Sequence, residues 1–300
     1  MQATGRIKRA LHAVLMLDKA PGASSNAVLQ QAKQLFRAAK AGHAGTLDPL
    51  ASGLLPVMFG DATKFSSDLL EADKTYEAEI RLGISTTTAD AEGEVVASRP
   101  VCVSSEQLDA ALARFRGEIQ QTPPMYSALK HAGKPLYAYA RAGIAIERAP
   151  RTIRISALDL LRFDGVRLAL RLTCSKGTYV RSIAHDLGEA LDCGAHLVGL
   201  RRTAVGRFGI GCAYSLDALT ALDDGARDGM LLAVDALLQD LPSIVLEPVL
   251  HARFVQGQAV AWSGHERGRA RVYGVGGRFL GLADVDAGGM VLPKRVVAQV

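Results

Sequence analysis

The chain lacks most of the features that announce a cofactor, a metal or a membrane. It has four cysteines in 300 residues, Cys102, Cys174, Cys193 and Cys212, with no C-x-x-C pair and no zinc spacing. That excludes a disulfide framework, and the thiols are expected to be small buried apolar residues in a reducing cytoplasm. No apolar run approaches a membrane span. The opening MQATGRIKRALHAVLML is basic and then apolar, but His12 interrupts it and Asp18-Lys19 follow, so HAVLMLDK is expected to be a buried first strand and not part of a leader. GVGGRFLG has the wrong glycine spacing and context for a dinucleotide fingerprint. ADAEGEVV, with Asp90, Glu92 and Glu94, lacks calcium-loop spacing and is expected to be a hairpin turn. Acidic charge is in mild deficit: 35 Lys and Arg against 30 Asp and Glu, a net charge of +5 that leans toward a polyanionic partner without proving one.

Apolar residues are plentiful, at 49%, and allow a sizeable core in one large domain or one plus a small one. After the first strand, Ser24, Ser25 and Asn26 are N-cap candidates for a helix that Gly42 would close. Val28, Leu29, Ala32, Leu35, Phe36 and Ala39 recur at helical spacing, which puts Lys33, Arg37 and Lys40 together as a basic stripe on another face. TYEAEIRLG alternates, with Tyr76, Ala78, Ile80 and Leu82 on one face of a half-buried strand. Ser104 and Gln107 spell a capping box for a helix that Gly117 would stop. Val166, Leu168, Leu170 and Leu172 alternate as a strand, and after a glycine turn Ile183, Leu187 and Leu191 take the helical period. Residues 121–151 lose periodicity. They combine prolines, glycines and three tyrosines with Lys130, His131, Lys134, Arg141, Arg148 and Arg151 against the single acid Glu147, a mixture suited to phosphates and stacked bases. Beyond Leu241, short apolar runs with glycine turns suggest a small β-rich domain.

AGHAGTLDPLASGLLP, residues 41–56, isolates one carboxylate. The nearest acids in the chain are Asp18 and Asp61. Asp48 before a proline in a glycine-flanked loop fits plain turn chemistry. It also fits a nucleophile or base placed where glycines let a substrate approach the backbone, although the local pattern alone favours the turn. No second acid lies near it in the sequence, so a paired-carboxylate glycosidase is not visible.

The whole string resembles the signature loop of the bacterial tRNA pseudouridine synthase B (TruB) family. DKAPGASSN, DKTYEAEIRLG, PPMYSALKHAGKPLYAYAR, CSKGTYVRSIAHDLG and HLVGLRRTAVGRF resemble that family's other blocks in the same order, strongly over residues 15 to 210 and weakly in the tail. One departure is visible. The family's first block usually reads Asp-Lys-Pro, whereas here Ala20 separates Lys19 from Pro21.

The resemblance implies an α/β (α+β) fold with a mixed, largely antiparallel sheet flanked by helices. It also implies a catalytic domain over residues 1–241 with a thumb-like RNA-binding insertion at about 121–151, and a PUA-like domain over 242–300. It implies isomerisation of uridine to pseudouridine at position 55 in the T loop of tRNA, with base flipping and without cofactor or metal. In this reading Asp48 attacks ribose C1′ or removes a sugar proton, Arg181 pairs with it, and Tyr76 stacks on the uracil and assists proton removal from C5. Tyr179 and Leu200 line the base pocket, Leu200 through its backbone, and His43 fills space left by extruded bases. Lys19, Lys64, Lys130 and Arg141 are the expected further substrate contacts. The expected partner is the T stem-loop of tRNA, met by a cytoplasmic monomer with no membrane and no obligatory protein partner. The alternatives are a guide-RNA-dependent relative, a non-catalytic tRNA chaperone and a nucleoside hydrolase. The combination of Asp48, Tyr76 and Arg181 disfavours a purely structural protein.

Overall fold

The computed structural model describes residues 8–298. The basic start through Ile7 and the last two residues of the expected C-terminal domain lie outside them. The main sheet has nine strands. Its order is Ala13–Lys19, Ser52–Phe59, Ala195–Val205, Lys74–Leu82, Arg167–Cys174, Arg151–Phe163 and Gly117–Gln121, with the short strands Ala41–His43 and Phe208–Gly209 paired beside this path. Every pairing is antiparallel except that of Ser52–Phe59 with Ala195–Val205. The sheet is thus mixed and largely antiparallel. The one parallel pairing is close: Gly53 has φ +103°, and a Cβ there would lie 2.3 Å from the Arg202 carbonyl.

The first strand is a continuous apolar run because both its faces are covered. Val14 and Met16 pack with Phe65, Leu69 and Leu237, while Leu15 and Leu17 pack with Val28 and Leu29 of the helix Ser25–Leu35 and with Phe36 just beyond it. The Lys74–Leu82 strand buries one face only. Ala78, Ile80 and Leu82 lie under the helices Ser105–Ala113 and Val180–Ala190, and on the open face Glu77 pairs with Arg171 at 2.8 Å. The latter helix sits hard against the sheet, since a Cβ on Gly188 would fall 2.1 Å from Ala195 N.

Several local expectations change. The first helix is capped by Ser24 as the spelling suggests, but it ends at Leu35, with Phe36 as its C-cap, not at Gly42. Phe36 turns in against Phe59, ring centroids 5.2 Å apart, and Arg37 takes a left-handed φ of 52°. Lys33, Arg37 and Lys40 are therefore no helical stripe; Arg37 instead pairs with Asp224 at 2.6 Å. The Ser104–Gln107 capping box forms, but that helix stops at Ala113, and Gly117 opens the next strand. Val166 is exposed in the turn before its strand, where Asp164 accepts the N–H groups of Val166 and Arg167. Cys174 and Cys193 are buried, whereas Cys102 and Cys212 are exposed, because they lie in a helix approach and a single 3-10 turn outside the core. ADAEGEVV is a hairpin turn, joining Ile84–Thr86 to Val95–Ser98.

Residues 122–150 carry a two-residue ladder, Lys130–His131 with Lys134–Pro135, and a short helix, Leu136–Arg141. The C-terminal part forms a second sheet, in the order Ser243–Leu246, Gly268–Gly274, Phe279–Val285, Met290–Val296 and Val260–Ala261, with the helix Pro248–Val255 on it. Its core is Ile244, Leu246, Phe254, Val272 and Leu280. It also shares packing with the main body, where Phe279 meets Phe65 at a centroid distance of 5.8 Å. No helix among the described residues is long and apolar enough to cross a membrane.

Candidate active site

Asp48 stands in the loop between Ala41–His43 and Ser52–Phe59. A loop without ladder bonds must have its buried polar groups satisfied from elsewhere, and side chains from three other elements do this. Ser25 Oγ donates to Leu47 O and accepts from Leu47 N–H, both at 2.8 Å. Lys19 Nζ donates to Ala51 O at 2.6 Å, Ala20 O at 3.0 Å and Pro49 O at 3.4 Å. Arg202 donates to Gly45 O at 3.0 Å and to Leu54 O at 2.7 Å. The Ala20 departure leaves this scheme intact: Pro21-Gly22 forms the turn, and Gly22 N–H donates to Pro49 O.

Arg181, 6% exposed at its side chain, places Nε 2.9 Å from Asp48 Oδ2. It belongs to the first turn of the helix Val180–Ala190. Its other nitrogens donate to Thr88 O at 3.2 Å and Tyr126 O at 2.7 Å, and Nη1 lies 3.6 Å from Asp90 Oδ2. One guanidinium thus serves two carboxylates. Asp90 is buried and accepts from Thr88 Oγ1 at 2.5 Å and Glu92 N–H at 3.0 Å. Asp48 keeps 41% of its side-chain surface open, toward the pocket. Burial around it raises the Asp48 carboxyl above its ordinary value; Arg181 opposes that, Asp90 adds to it, and Lys19 opposes it. The result is a basic carboxylate held by a charged partner, the state a nucleophile or base requires.

The pocket over this pair has a volume of about 360 Å³. Tyr76, Tyr179 and Leu200 line it beside Asp48 and Arg181. Burial raises the Tyr76 phenol, while the Arg202 guanidinium, its cross-strand neighbour, opposes the shift. Burial likewise raises the Tyr179 phenol. The Leu200 carbonyl accepts from Ser52 Oγ at 3.4 Å. Lys74 completes the rim. Its amine donates to Leu70 O and Ala72 O, and burial, with Arg202 adding to it, brings it down to about 8.

The remaining expected residues scatter. His43 is half-buried at the start of the Asp48 loop; burial and then Arg202 lower its imidazole, and its Nδ1 is buried without a hydrogen bond. Lys19 is 1% exposed, and its amine is committed to carbonyls of the Asp48 loop and its approach. Burial lowers its ammonium, opposed by the Asp48 charge. Lys64 donates to Val296 O and pairs with Asp61, both at 2.8 Å, and so joins the main body to the C-terminal sheet. Lys130 and Arg141 are exposed on the 122–150 segment, with Arg141 over the Tyr137 ring at 5.6 Å. Asp90, Arg202 and Lys74 are members of the site that the sequence reading missed. For Asp90 the turn spelling hid the role; for Arg202 the cue is its cross-strand pairing with Tyr76, which no local spacing records. Among the described residues no group of three or more His, Cys, Asp or Glu is placed to hold a metal ion.

Residues 33–180 match the TruB family pseudouridylate synthase (N terminal domain). Residues 181–244 match the tRNA pseudouridylate synthase B C-terminal domain, and 242–297 match the pseudouridine synthase II TruB, C-terminal. A protein named tRNA pseudouridine synthase B from Cupriavidus metallidurans is 56% identical, covering 97% of this chain and 95% of that protein. The protein of that name from Azoarcus sp. is 53% identical, covering 97% and 96%. A solved chain from a Cbf5-Nop10-Gar1 complex superposes with a TM-score of 0.73 at 26% identity, covering 96% of this chain and 85% of that one. With three matched segments that together span residues 33–297 and relatives more than half identical over nearly its whole length, this chain belongs to the TruB family.

Proposed function

We propose that the chain isomerises uridine to pseudouridine at position 55 in the T loop of tRNA, with Asp48 acting on the ribose. The observation that carries this reading is the 2.9 Å pairing of Asp48 with a nearly buried Arg181 at the wall of a pocket shared with Tyr76, Tyr179 and Leu200. In the reaction the bond from C1′ to N1 breaks and the bond from C1′ to C5 forms. The proton leaves C5, and N1 ends protonated, so substrate and product are isomers and the chemistry needs only acid, base and orientation. Asp48 either attacks C1′ or removes a sugar proton. The Tyr76 ring stacks on the uracil, and its hydroxyl assists transfer of the C5 proton.

A base inside a folded loop has to leave the stack before it can enter this pocket, at a cost of a few kcal/mol that contacts elsewhere offset. The basic 122–150 segment, grasping the T arm, is one source of such contacts, with Lys130 and Arg141 on its surface. The relatives named tRNA pseudouridine synthase B support tRNA as substrate, at more than twice the identity of the chain from the Cbf5-Nop10-Gar1 complex. The chain then works as a cytoplasmic monomer without an obligatory protein partner.

The test is Asp48→Asn, with chemical mapping of pseudouridine in a tRNA transcript and a parallel binding measurement. The expected result is loss of isomerisation with affinity kept within about a few fold, since one carboxylate carries chemistry and many contacts carry binding. Pseudouridine formed by the variant at a substantial fraction of the wild-type rate would refute the role of Asp48. Product mapped away from position 55 would refute the site in tRNA.

A further inference from the structure

Gln121 ends the Gly117–Gln121 strand at the edge of the main sheet and is 3% exposed. Its side-chain amide grips both backbone groups of Tyr179. The oxygen accepts from Tyr179 N–H at 2.8 Å, and the nitrogen donates to Tyr179 O at 3.0 Å. Tyr179 is the N-cap residue of the helix Val180–Ala190, and its own side chain makes no capping bond. Its carbonyl also accepts the Ile183 N–H at 3.2 Å. The residue that precedes the Arg181 turn is therefore fixed from 58 positions away in the chain.

The same glutamine marks the root of the 122–150 segment, because its main chain pairs with Arg151, where that segment returns to the sheet. Within the segment, Tyr126 O accepts from Arg181 Nη2. Gln121, Tyr126 and Tyr179 thus tie the root of the basic segment to the arginine that holds Asp48.

We infer that Gln121 is a positioning residue for the isomerisation: without touching the reacting base, it sets Tyr179 in the pocket and Arg181 on Asp48, in register with the root of the RNA-binding segment. The inference rests on the reading of Asp48 and Arg181 proposed above. The chemistry of the clasp explains the residue type. It needs one acceptor and one donor in a fixed plane. Methionine supplies neither at similar volume. An ionised glutamate supplies two acceptors and sets one against the Tyr179 carbonyl. A protonated glutamate restores the donor and acceptor pattern of glutamine at nearly the same shape. Arg151 lies across the strand from Gln121, and Arg151, Arg181 and Asp48 are the charges that act on the Tyr179 side chain.

The experiment measures single-turnover pseudouridine formation and tRNA affinity for wild type, Gln121→Met and Gln121→Glu from about pH 5.5 to about pH 8.5, spanning the range in which a buried glutamate protonates. Wild-type product formation checks the underlying reading on its own; its absence would sink that reading and not the clasp specifically. Given active wild type, Gln121→Met is expected to slow the step by about tenfold to a hundredfold while tRNA affinity stays within about threefold. Gln121→Glu is expected to be as slow as the methionine variant at high pH. Its rate relative to wild type then rises as pH falls. A merely structural glutamine would not give that pH-dependent rescue. A methionine variant within about twofold of the wild-type rate overturns the inference. So does a glutamate variant that is folded by thermal unfolding and shows a flat ratio to wild type across the pH series. If the methionine variant fails to fold, the glutamate ratio alone decides.

Discussion

Replacing Ser25 with alanine is the sharpest test of how the Asp48 loop is held. Ser25 is 1% exposed, and its hydroxyl is both donor and acceptor for Leu47, itself 3% exposed. Truncation leaves one N–H and one C=O without partners in a dry setting. Each such group costs about 1–3 kcal/mol. Slight loop relaxation recovers part of this, and alanine is the better helix former by up to about 0.5 kcal/mol at a position just inside the Ser24 cap. The expected net loss is roughly 2–4 kcal/mol. Lys19 and Arg202 still hold the carbonyls of Ala51 and Gly45, so the loop stays attached at its ends and loosens at the centre, one residue from Asp48. Pseudouridine formation should therefore slow by about tenfold or more, because a shift of about an ångström at the reacting group carries that cost. Urea unfolding at unchanged slope reads the stability loss, and single-turnover kinetics read the chemistry. A variant with the wild-type midpoint and rate would refute the claim that Ser25 positions the loop.

Lys74 gives a pH signature. Its amine sits at about 8 against an ordinary 10.5, so the folded chain sheds this proton before the unfolded chain does. Stability from this group rises with pH between those two values and is lowest below about 8; Lys74→Met should abolish that rise, as denaturant midpoints across the interval would reveal. Two acceptors, Leu70 O and Ala72 O, are as many as a neutral amine can serve. On the RNA side, removing the charges of Lys33 and Lys40 should reduce the log-log salt slope of tRNA binding by roughly 0.7–0.9 for each phosphate they neutralise. Arg37→Ala should change it less, since Asp224 already balances that charge; an equal drop for Arg37 in a salt series would contradict the pairing.

The parts of this fold that were legible in the sequence are those where one residue's environment follows from its neighbours in the chain. Alternation in the Lys74–Leu82 strand placed Ala78, Ile80 and Leu82 inward correctly, because a strand covered on one side has period two. The Ser104–Gln107 box closes on itself within four residues and could be read locally. The first helix failed as a reading because its apolar period runs on through Ala39 while the chain does not. Phe36 docks on Phe59 from a different strand, and no local spacing records that packing. Arg201 and Arg202 illustrate the same limit at the site. They are adjacent and identical, yet Arg201 faces Asp18 at the surface while Arg202 is buried under the Asp48 loop. Which of them points inward depends on the pairing of Arg202 with Tyr76, in a strand whose register shifts both before and after that pair.

Asp48 is isolated in the chain because its partners are supplied across the fold. A glycine-containing loop that lets a substrate approach its backbone has carbonyls and amides with no ladder to satisfy them. Lys19, Ser25 and Arg202 satisfy them, and each is of a type that ordinarily lies at the surface. They are buried here because the loop would otherwise carry unpaired polar groups, not because their own segments are apolar. Asp90 follows the same logic. Arg181 needs acceptors on every side once it is buried, and one acidic residue of a hairpin turn provides a charge where Thr88 and Tyr126 provide only carbonyls. Removing any one of these supports leaves a buried donor or acceptor unpaired close to Asp48. Stability and rate should for that reason fall together in the supports, whereas Asp48→Asn, which keeps the loop's hydrogen bonds, should separate them.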